Sequence, residues 1–246
     1  MPVNIEWVAH ACFRVWRDGG PVVVMDPYTR SELEKHGLPR ATPSLEGDTV
    51  ICSSLTDLAH GNPKLVKGSP RVIDALDIVE KGVKAEIDGS SVVAVGAAEH
   101  PEHTEHDPMD NALYSIKFDE LWVMHIGDLG YGLTADELAP FVGHCDVLLA
   151  ITGDHNTIPL LDLDFMIEHL EPRWIIPMHY FLEPFGEAMA PVGKFLDRRR
   201  SDPVLYPKST TIRLPTEIPG SNGRPAIIVL EPAAYEVAAV PVRCNC

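Results

Sequence analysis

Two residues of a metal-binding type stand directly behind apolar runs: Asp128 after residues 121–126, and His179 after Ile175-Ile176-Pro177-Met178. Carboxylate oxygen and imidazole nitrogen are both metal donors, so this placement points to a polar site at strand ends. Three further places offer the same chemistry. His10 lies between Trp7-Val8-Ala9 and Ala11-Cys12-Phe13. In residues 53–60, Asp57 and His60 are three apart and would share a helical face. The run Glu99-His100-Pro101-Glu102-His103-Thr104-Glu105-His106 adds three histidines. A proline-containing loop cannot present all three at helical spacing, and His100, at the strand end, is the natural ligand among them.

Imidazoles mixed with carboxylates suit zinc first, with manganese or iron as alternatives, and the lack of a thiolate cluster argues against a structural cysteine-zinc site. Such an ion lowers the pKa of a bound water and polarises a carbonyl or phosphoryl oxygen. Asp57 or a nearby histidine could take the proton. The competing reading, for His10, His60 and His100 alike, is an imidazole that bridges polar loops by hydrogen bonding. Asp154 and His155, in Gly153-Asp154-His155-Asn156-Thr157, add titratable groups. Tyr180 could donate a hydrogen bond to a developing oxyanion, or simply close a pocket.

The elements that must position these residues change rhythm along the chain. Strands are expected at 4–7 and 12–16, then a turn at Asp18-Gly19-Gly20 and a buried strand at 21–25 that stops at Asp26-Pro27. Further strands follow at 49–52 and 71–73, with a short helix at 62–66 between them. The middle is antiparallel in character, with strands at 84–87, 92–95, 112–118 and 121–126. Helix and strand then alternate: helix 135–141 capped by Thr134, strand 147–151, helix 163–170, strand 174–177, and helix 187–200 with a basic end that suits its dipole. Closing strands are expected at 204–205, 210–214 and 226–230. Many strands and few helices imply packed sheets flanked by helices, an α/β protein.

The length of 246 residues supports one domain. Against 20 Lys and Arg stand 36 Asp and Glu, a net charge of -16 that repels phosphate backbones and anionic lipid but favours cations. No nucleic-acid partner is therefore expected. The apolar runs are too short to cross a bilayer, and the first residues do not read as a signal peptide. Neither a Gly-x-Gly-x-x-Gly turn nor a Walker loop is present, so no nucleotide cofactor is expected. Five scattered cysteines, Cys244 and Cys246 among them in a tail, suggest a reducing compartment, hence the cytoplasm.

Four stretches in order carry a resemblance: His10-Ala11-Cys12-Phe13 with the strand ending Met25-Asp26-Pro27; Gly68-Ser69-Pro70-Arg71-Val72-Ile73; His125-Ile126-Gly127-Asp128-Leu129-Gly130; and Ile176-Pro177-Met178-His179-Tyr180. Together, across residues 5–182, they resemble the metallo-β-lactamase superfamily, in particular the branch of L-ascorbate-6-phosphate lactonases, with residues 183–246 left as closing strands and tail. The resemblance implies a four-layer αββα sandwich of two mixed β-sheets with a metal site at one edge. It also implies that His100 serves a first ion, that Asp128 bridges two ions and that His179 closes the second, with His10 nearby and the 153–157 loop lining the pocket. A homo-oligomer is implied by the assemblies of similar lactonases.

This sequence lacks the family's His-x-His-x-Asp-His segment. Counted from the strand at 49–52, the four ligand positions become Ser54, Thr56, Leu58 and Ala59; counted back from Gly68, they become Leu55, Asp57, Ala59 and His60. The expected function is hydrolysis of an ester, lactone or phosphoester bond in a small molecule by a metal-activated water at an atypical, possibly mononuclear site. A binding or assembly protein with a decayed site, and a lyase or isomerase on the same fold, are the alternatives.

Overall fold

The computed structural model describes residues 1–29, 45–57, 60–99, 110–155, 157–182, 189–216 and 223–233. Alternation of buried and less buried side chains forms β1 (Val3–Ala9) and β2 (Cys12–Arg17), an antiparallel hairpin that β3 (Val23–Met25) extends. After β4 (Leu45–Glu46) come β5 (Thr49–Cys52), β6 (Val66–Lys67) and β7 (Arg71–Asp74), with β5 parallel to both β3 and β7. Helix α1 (Ala75–Lys81) begins where the Asp74 carboxylate accepts the Leu76 N–H, and ends at Gly82, whose φ of 63° is left-handed.

A small ribbon, β8 (Glu86–Ile87) with β9 (Ser90–Ser91), precedes the antiparallel meander β10 (Val93–Ala97), β11 (Asn111–Phe118) and β12 (Leu121–His125). Beyond it α2 (Ala135–Leu138), β13 (Val147–Ile151), α3 (Leu160–Leu170) and β14 (Trp174–Met178) alternate, and β12, β13 and β14 run parallel. Helix α4 (Val192–Arg198) leads to β15 (Val204–Leu205), β16 (Thr211–Leu214) and β17 (Ala226–Ile228).

The strands make two mixed sheets, β16-β1-β2-β3-β5-β7 and β10-β11-β12-β13-β14-β17-β15. This is the expected αββα sandwich. In the first sheet Val23, Met25 and Ile51 join the large core cluster, whereas Val24, Val50 and Cys52 pack on the opposite face with Cys12 and Tyr28. Period-two alternation thus serves two apolar layers. Every residue of β13 and β14 is buried, as expected of parallel strands covered on both faces. From α3, Leu160, Leu163, Ile167 and Leu170 enter the same core, spaced three and four apart.

Some element limits differ from the sequence expectation. The stretch at 62–66 holds only a 3-10 turn, Pro63–Leu65, because the Asn62 side chain caps it and Val66 is already extended. Helix α3 starts at Leu160, three residues earlier than expected, where the distant Asp154 carboxylate accepts the Leu160 N–H at 3.0 Å. Helix α4 starts at Val192, behind Pro191; residues 189–191 of the expected helix are not helical, and 187–188 lie outside the described residues. Helix α1 had no counterpart in the pattern reading. Among the described residues no helix is long and apolar enough to cross a membrane.

Candidate metal centre

Strand ends from both sheets converge on one edge of the sandwich. His10 follows β1, residues 53–60 follow β5, Glu99 lies beyond β10, Asp128 beyond β12, and His179 directly after β14. Donor atoms of His10, His60 and His179 lie within 4.8 Å of one another, and those of Asp57, His60 and Glu99 form a second group of the same span. Asp128 lies against both. Its Oδ1 is 3.4 Å from His179 Nε2 and its Oδ2 is 3.7 Å from His60 Nδ1. The imidazoles crowd together, with ring centroids 3.9 Å apart for His10 and His179 and 4.6 Å for His10 and His60.

Asp57 and His60 meet, while residues 58 and 59 between them lie outside the described residues. Asp57 Oδ2 is 2.5 Å from His60 Nδ1 across a folded-back loop. The Ser54 hydroxyl accepts from the N–H groups of Thr56 and Asp57, and the His60 N–H donates to the Asp57 carbonyl. Gly61 allows this close return: a Cβ there would stand 1.8 Å from the Ser54 carbonyl oxygen. Hydrogen bonding by Ser54 and the close approach at Gly61 hold the two ends of this segment together.

The loop hangs from Asp26, a fully buried carboxylate at the end of β3. Asp26 accepts the Ser53 N–H at 2.9 Å, the Ser53 hydroxyl at 2.6 Å and the Tyr114 hydroxyl at 3.0 Å. Asp128 is placed by Asn111, whose side-chain oxygen accepts the Asp128 N–H at 3.0 Å. His125 is a structural group and not part of the cluster. Its Nε2 donates to the Ala11 carbonyl at 2.7 Å and its Nδ1 accepts the Gly127 N–H at 2.9 Å, which joins the two sheets beneath the site.

Burial and charge compete at each titratable group. Burial lowers the His60 pKa, but Asp128 and Asp57 outweigh it and push the group up to about 10. For His179 burial prevails over the attraction of Asp128 and brings it down to about 4. Burial, with Asp128 and Asp57 nearby, raises Glu99 to about 8. The shifts differ in sign because burial and neighbouring charge balance differently at each group.

Of the residues singled out by sequence, His10, Asp57, His60, Asp128 and His179 come together. His155 is exposed and belongs to neither donor group. Its neighbour Asp154 is engaged by Lys194 and by the start of α3. Tyr180 is buried with its ring 5.2 Å from that of Trp7. His100, His103 and His106 lie outside the described residues. Glu99 was missed as a donor, although its position just beyond an expected strand was the available signal. The anchoring roles of Asp26 and Asn111 had no local signal.

A two-sheet sandwich with imidazoles and carboxylates gathered at its edge defines a class. Residues 4–179 match the beta-lactamase superfamily domain, and the chain belongs to that superfamily. A UPF0173 protein of Pyrococcus furiosus is 29% identical over 187 residues, 72% of this chain and 83% of its own length. A UPF0173 metal-dependent hydrolase of Pyrococcus horikoshii is 25% identical over 198 residues, 72% of this chain and 84% of its own. Among solved structures, a candidate zinc-dependent hydrolase of the metallo-beta-lactamase superfamily from Thermotoga maritima superposes with a TM-score of 0.66 at 25% identity, covering 93% of this chain and 98% of that one. Igni18, a metallo hydrolase of Ignicoccus hospitalis, shares the fold with a TM-score of 0.57 at 19% identity, over 94% and 96% of the two chains.

Proposed function

We propose that this protein is a metal-dependent hydrolase acting on an ester, lactone or phosphoester bond of a small molecule. The observation that carries this reading is the pair of buried imidazole nitrogens with no hydrogen-bond partner, His60 Nε2 and His179 Nδ1, within one donor cluster. An orphaned buried polar atom costs about 1–3 kcal/mol, and a bound cation removes that cost. Three imidazoles with a carboxylate alongside fit a catalytic transition-metal site, zinc first and manganese or iron after it.

His10, His60 and His179 would hold the ion, with Asp128 beside them. Bound there, it supplies acidification of a water molecule and polarisation of the scissile carbonyl or phosphoryl oxygen. Asp57 orients His60 through the 2.5 Å contact to Nδ1, the usual partnership of a carboxylate with a ligating imidazole. Asp128, with 20% of its side chain exposed, is the carboxylate best open to an incoming water and can accept its proton. We assign the family's His-x-His-x-Asp-His positions to Leu55, Asp57, Ala59 and His60, since Asp57 and His60 both reach the cluster. The resemblance to sugar-phosphate lactonases favours a lactone among the possible substrates. Free, buried Cys12, Cys52 and Cys145 suit a reducing compartment, and we place the enzyme in the cytoplasm.

Elemental analysis of protein purified without added metal, followed by a screen of lactones and phosphoesters, tests the reading. One or more ions per chain and turnover that both disappear in His179→Ala are expected. A protein that binds no ion after reconstitution and turns over no substrate would overturn it in favour of a binding or assembly role.

A further inference from the structure

We infer that the substrate is an uncharged ester or lactone whose apolar chain lies against Leu55 and Met189, and not a phosphoester. The inference rests on the metal-dependent reading above and narrows it to one class of substrate.

Two partly buried apolar side chains stand beside the donor cluster. Leu55 lies two residues before Asp57, at the position assigned above to the first histidine of the family segment, where an isobutyl group offers contact in place of ligation. Met189 comes from the segment after β14. Its backbone neighbour Ala190 donates to the Gly153 carbonyl at 2.6 Å, and a Cβ on Gly153 would stand 3.4 Å from Met189 Cγ and 2.5 Å from the His179 carbonyl oxygen. Leu55 and Met189 both pack against the small apolar cluster that holds Val8, Cys12 and Tyr28. Tyr28 in turn meets His10 edge-on, with ring centroids 5.9 Å apart. Its buried hydroxyl has no hydrogen-bond partner, the kind of orphaned atom that a neutral ligand oxygen satisfies. An apolar wall with few polar groups beside a reactive centre is the usual make-up of a small-molecule pocket.

Charge points the same way. The groups that act most strongly on His60, His179 and Glu99 are Asp26, Asp57, Asp110, Asp128 and the imidazoles themselves, with no Lys or Arg among them in the described residues. Lys194, the cation next to the 153–157 loop, is already paired with Asp154. A phosphate brought against Asp57, Glu99 and Asp128 meets like charge, and these carboxylates also offset the charge of a bound cation. The net charge of -16 adds to the repulsion. An ester or lactone carries no charge to be repelled, and its alkyl part gains by leaving water for Leu55 and Met189.

The test compares γ-butyrolactone, γ-nonalactone and phenyl phosphate, first for binding to the full chain stripped by chelator, read by calorimetry, and then for turnover by the zinc-loaded protein. Since each buried CH2 contributes about three- to fourfold, γ-nonalactone should bind, and react in kcat/KM, about tenfold or more better than γ-butyrolactone, with phenyl phosphate the poorest of the three. Met189→Lys should remove most of the long-chain preference, chiefly through KM, and raise kcat/KM for phenyl phosphate. Should that variant fail to give a cooperative melt, Leu55→Asn carries the same expected loss of preference. Equal binding of the two lactones, a preference unchanged in both variants, or phenyl phosphate as the better substrate would overturn this inference alone. Tight binding of γ-nonalactone to stripped protein with no turnover after zinc loading would instead overturn the functional reading beneath it.

Discussion

The backbone N–H of His179 donates to the carbonyl of His10 across 3.2 Å, and the two residues share a left-handed backbone, with φ of 50° and 53°. This hydrogen bond ties the end of β14 in one sheet to the β1–β2 turn in the other, and the Trp7 indole N–H reinforces it by donating to the same carbonyl at 3.0 Å. Closing the edge of the sandwich and bringing two imidazoles to a centroid distance of 3.9 Å are therefore one structural event. Left-handed geometry in a non-glycine residue costs roughly 1–3 kcal/mol and persists where surrounding contacts impose it.

From that strain follows a comparison of two variants. His10→Ala removes the ring but keeps a Cβ at positive φ; His10→Gly removes both. In the metal-free protein the glycine variant should be the more stable by roughly 1 kcal/mol, read from urea denaturation midpoints. Both should bind metal more weakly. An alanine variant as stable as the glycine one would show that the backbone is not strained there.

Asp26 supports the loop that carries Asp57 and His60. Truncation by Asp26→Ala leaves the buried donors of Ser53 and Tyr114 without an acceptor, and the expected loss is about 3 kcal/mol or more. Asp26→Asn retains an acceptor oxygen and should cost less. Chemical denaturation distinguishes these outcomes, and a loss under about 1 kcal/mol for Asp26→Ala would contradict the anchoring role.

Gly127 controls the approach of Asp128. At its φ of 61° a Cβ would fall 2.0 Å from the Asn111 side-chain oxygen, the acceptor of the Asp128 N–H. Gly127→Ala must push Asn111 away and let Asp128 drift. Metal affinity, measured by competition with a chromophoric chelator, should fall by about tenfold or more.

Without metal, the protein should lose stability as pH rises above neutrality. His60 is raised from 6.5 to about 10 and Glu99 from 4.5 to about 8, so in both the folded state holds its proton more tightly than the unfolded chain. Their contributions are complete below the unfolded values and vanish as pH climbs through the folded ones. His179, lowered from 6.5 to about 4, acts in the other sense, and its contribution is lost as pH falls through that interval. Between pH 4.5 and 6.5 Glu99 and His179 oppose each other, and from 6.5 upward the loss through Glu99 and His60 is unopposed. Thermal melts across this range should therefore decline from pH 6.5 to 10 in stripped protein. Metal-loaded protein should show the opposite trend over the acidic half, because binding requires deprotonated ligands.

Much of the architecture was legible along the chain because its causes are local. The strands at 49–52 and 147–151 announce themselves as short apolar runs, and the structure has them at the same limits, Thr49–Cys52 and Val147–Ile151. Thr134 caps α2 in a reciprocal arrangement with Glu137, three residues on. The donor types at strand ends, His10, Asp128 and His179, were equally visible, since strand periodicity tells where a chain emerges from a sheet. What remained open was decided across the sandwich. Which count of residues 53–60 brings donors forward depends on the grip of Asp26 on Ser53, 27 positions away, and the carboxylate of Glu99 reaches His60 only because the two sheets end at the same edge. Spacing in the sequence brought Asp57 and His60 to notice, and contacts of Ser54 and Gly61 hold the segment that carries them. Sequence by itself determined most of the longer strands and the kinds of donor that follow them; tertiary structure alone decided which donors lie close enough to share a cation, because that depends on distances of a few ångströms between segments that only the packed sheets bring together.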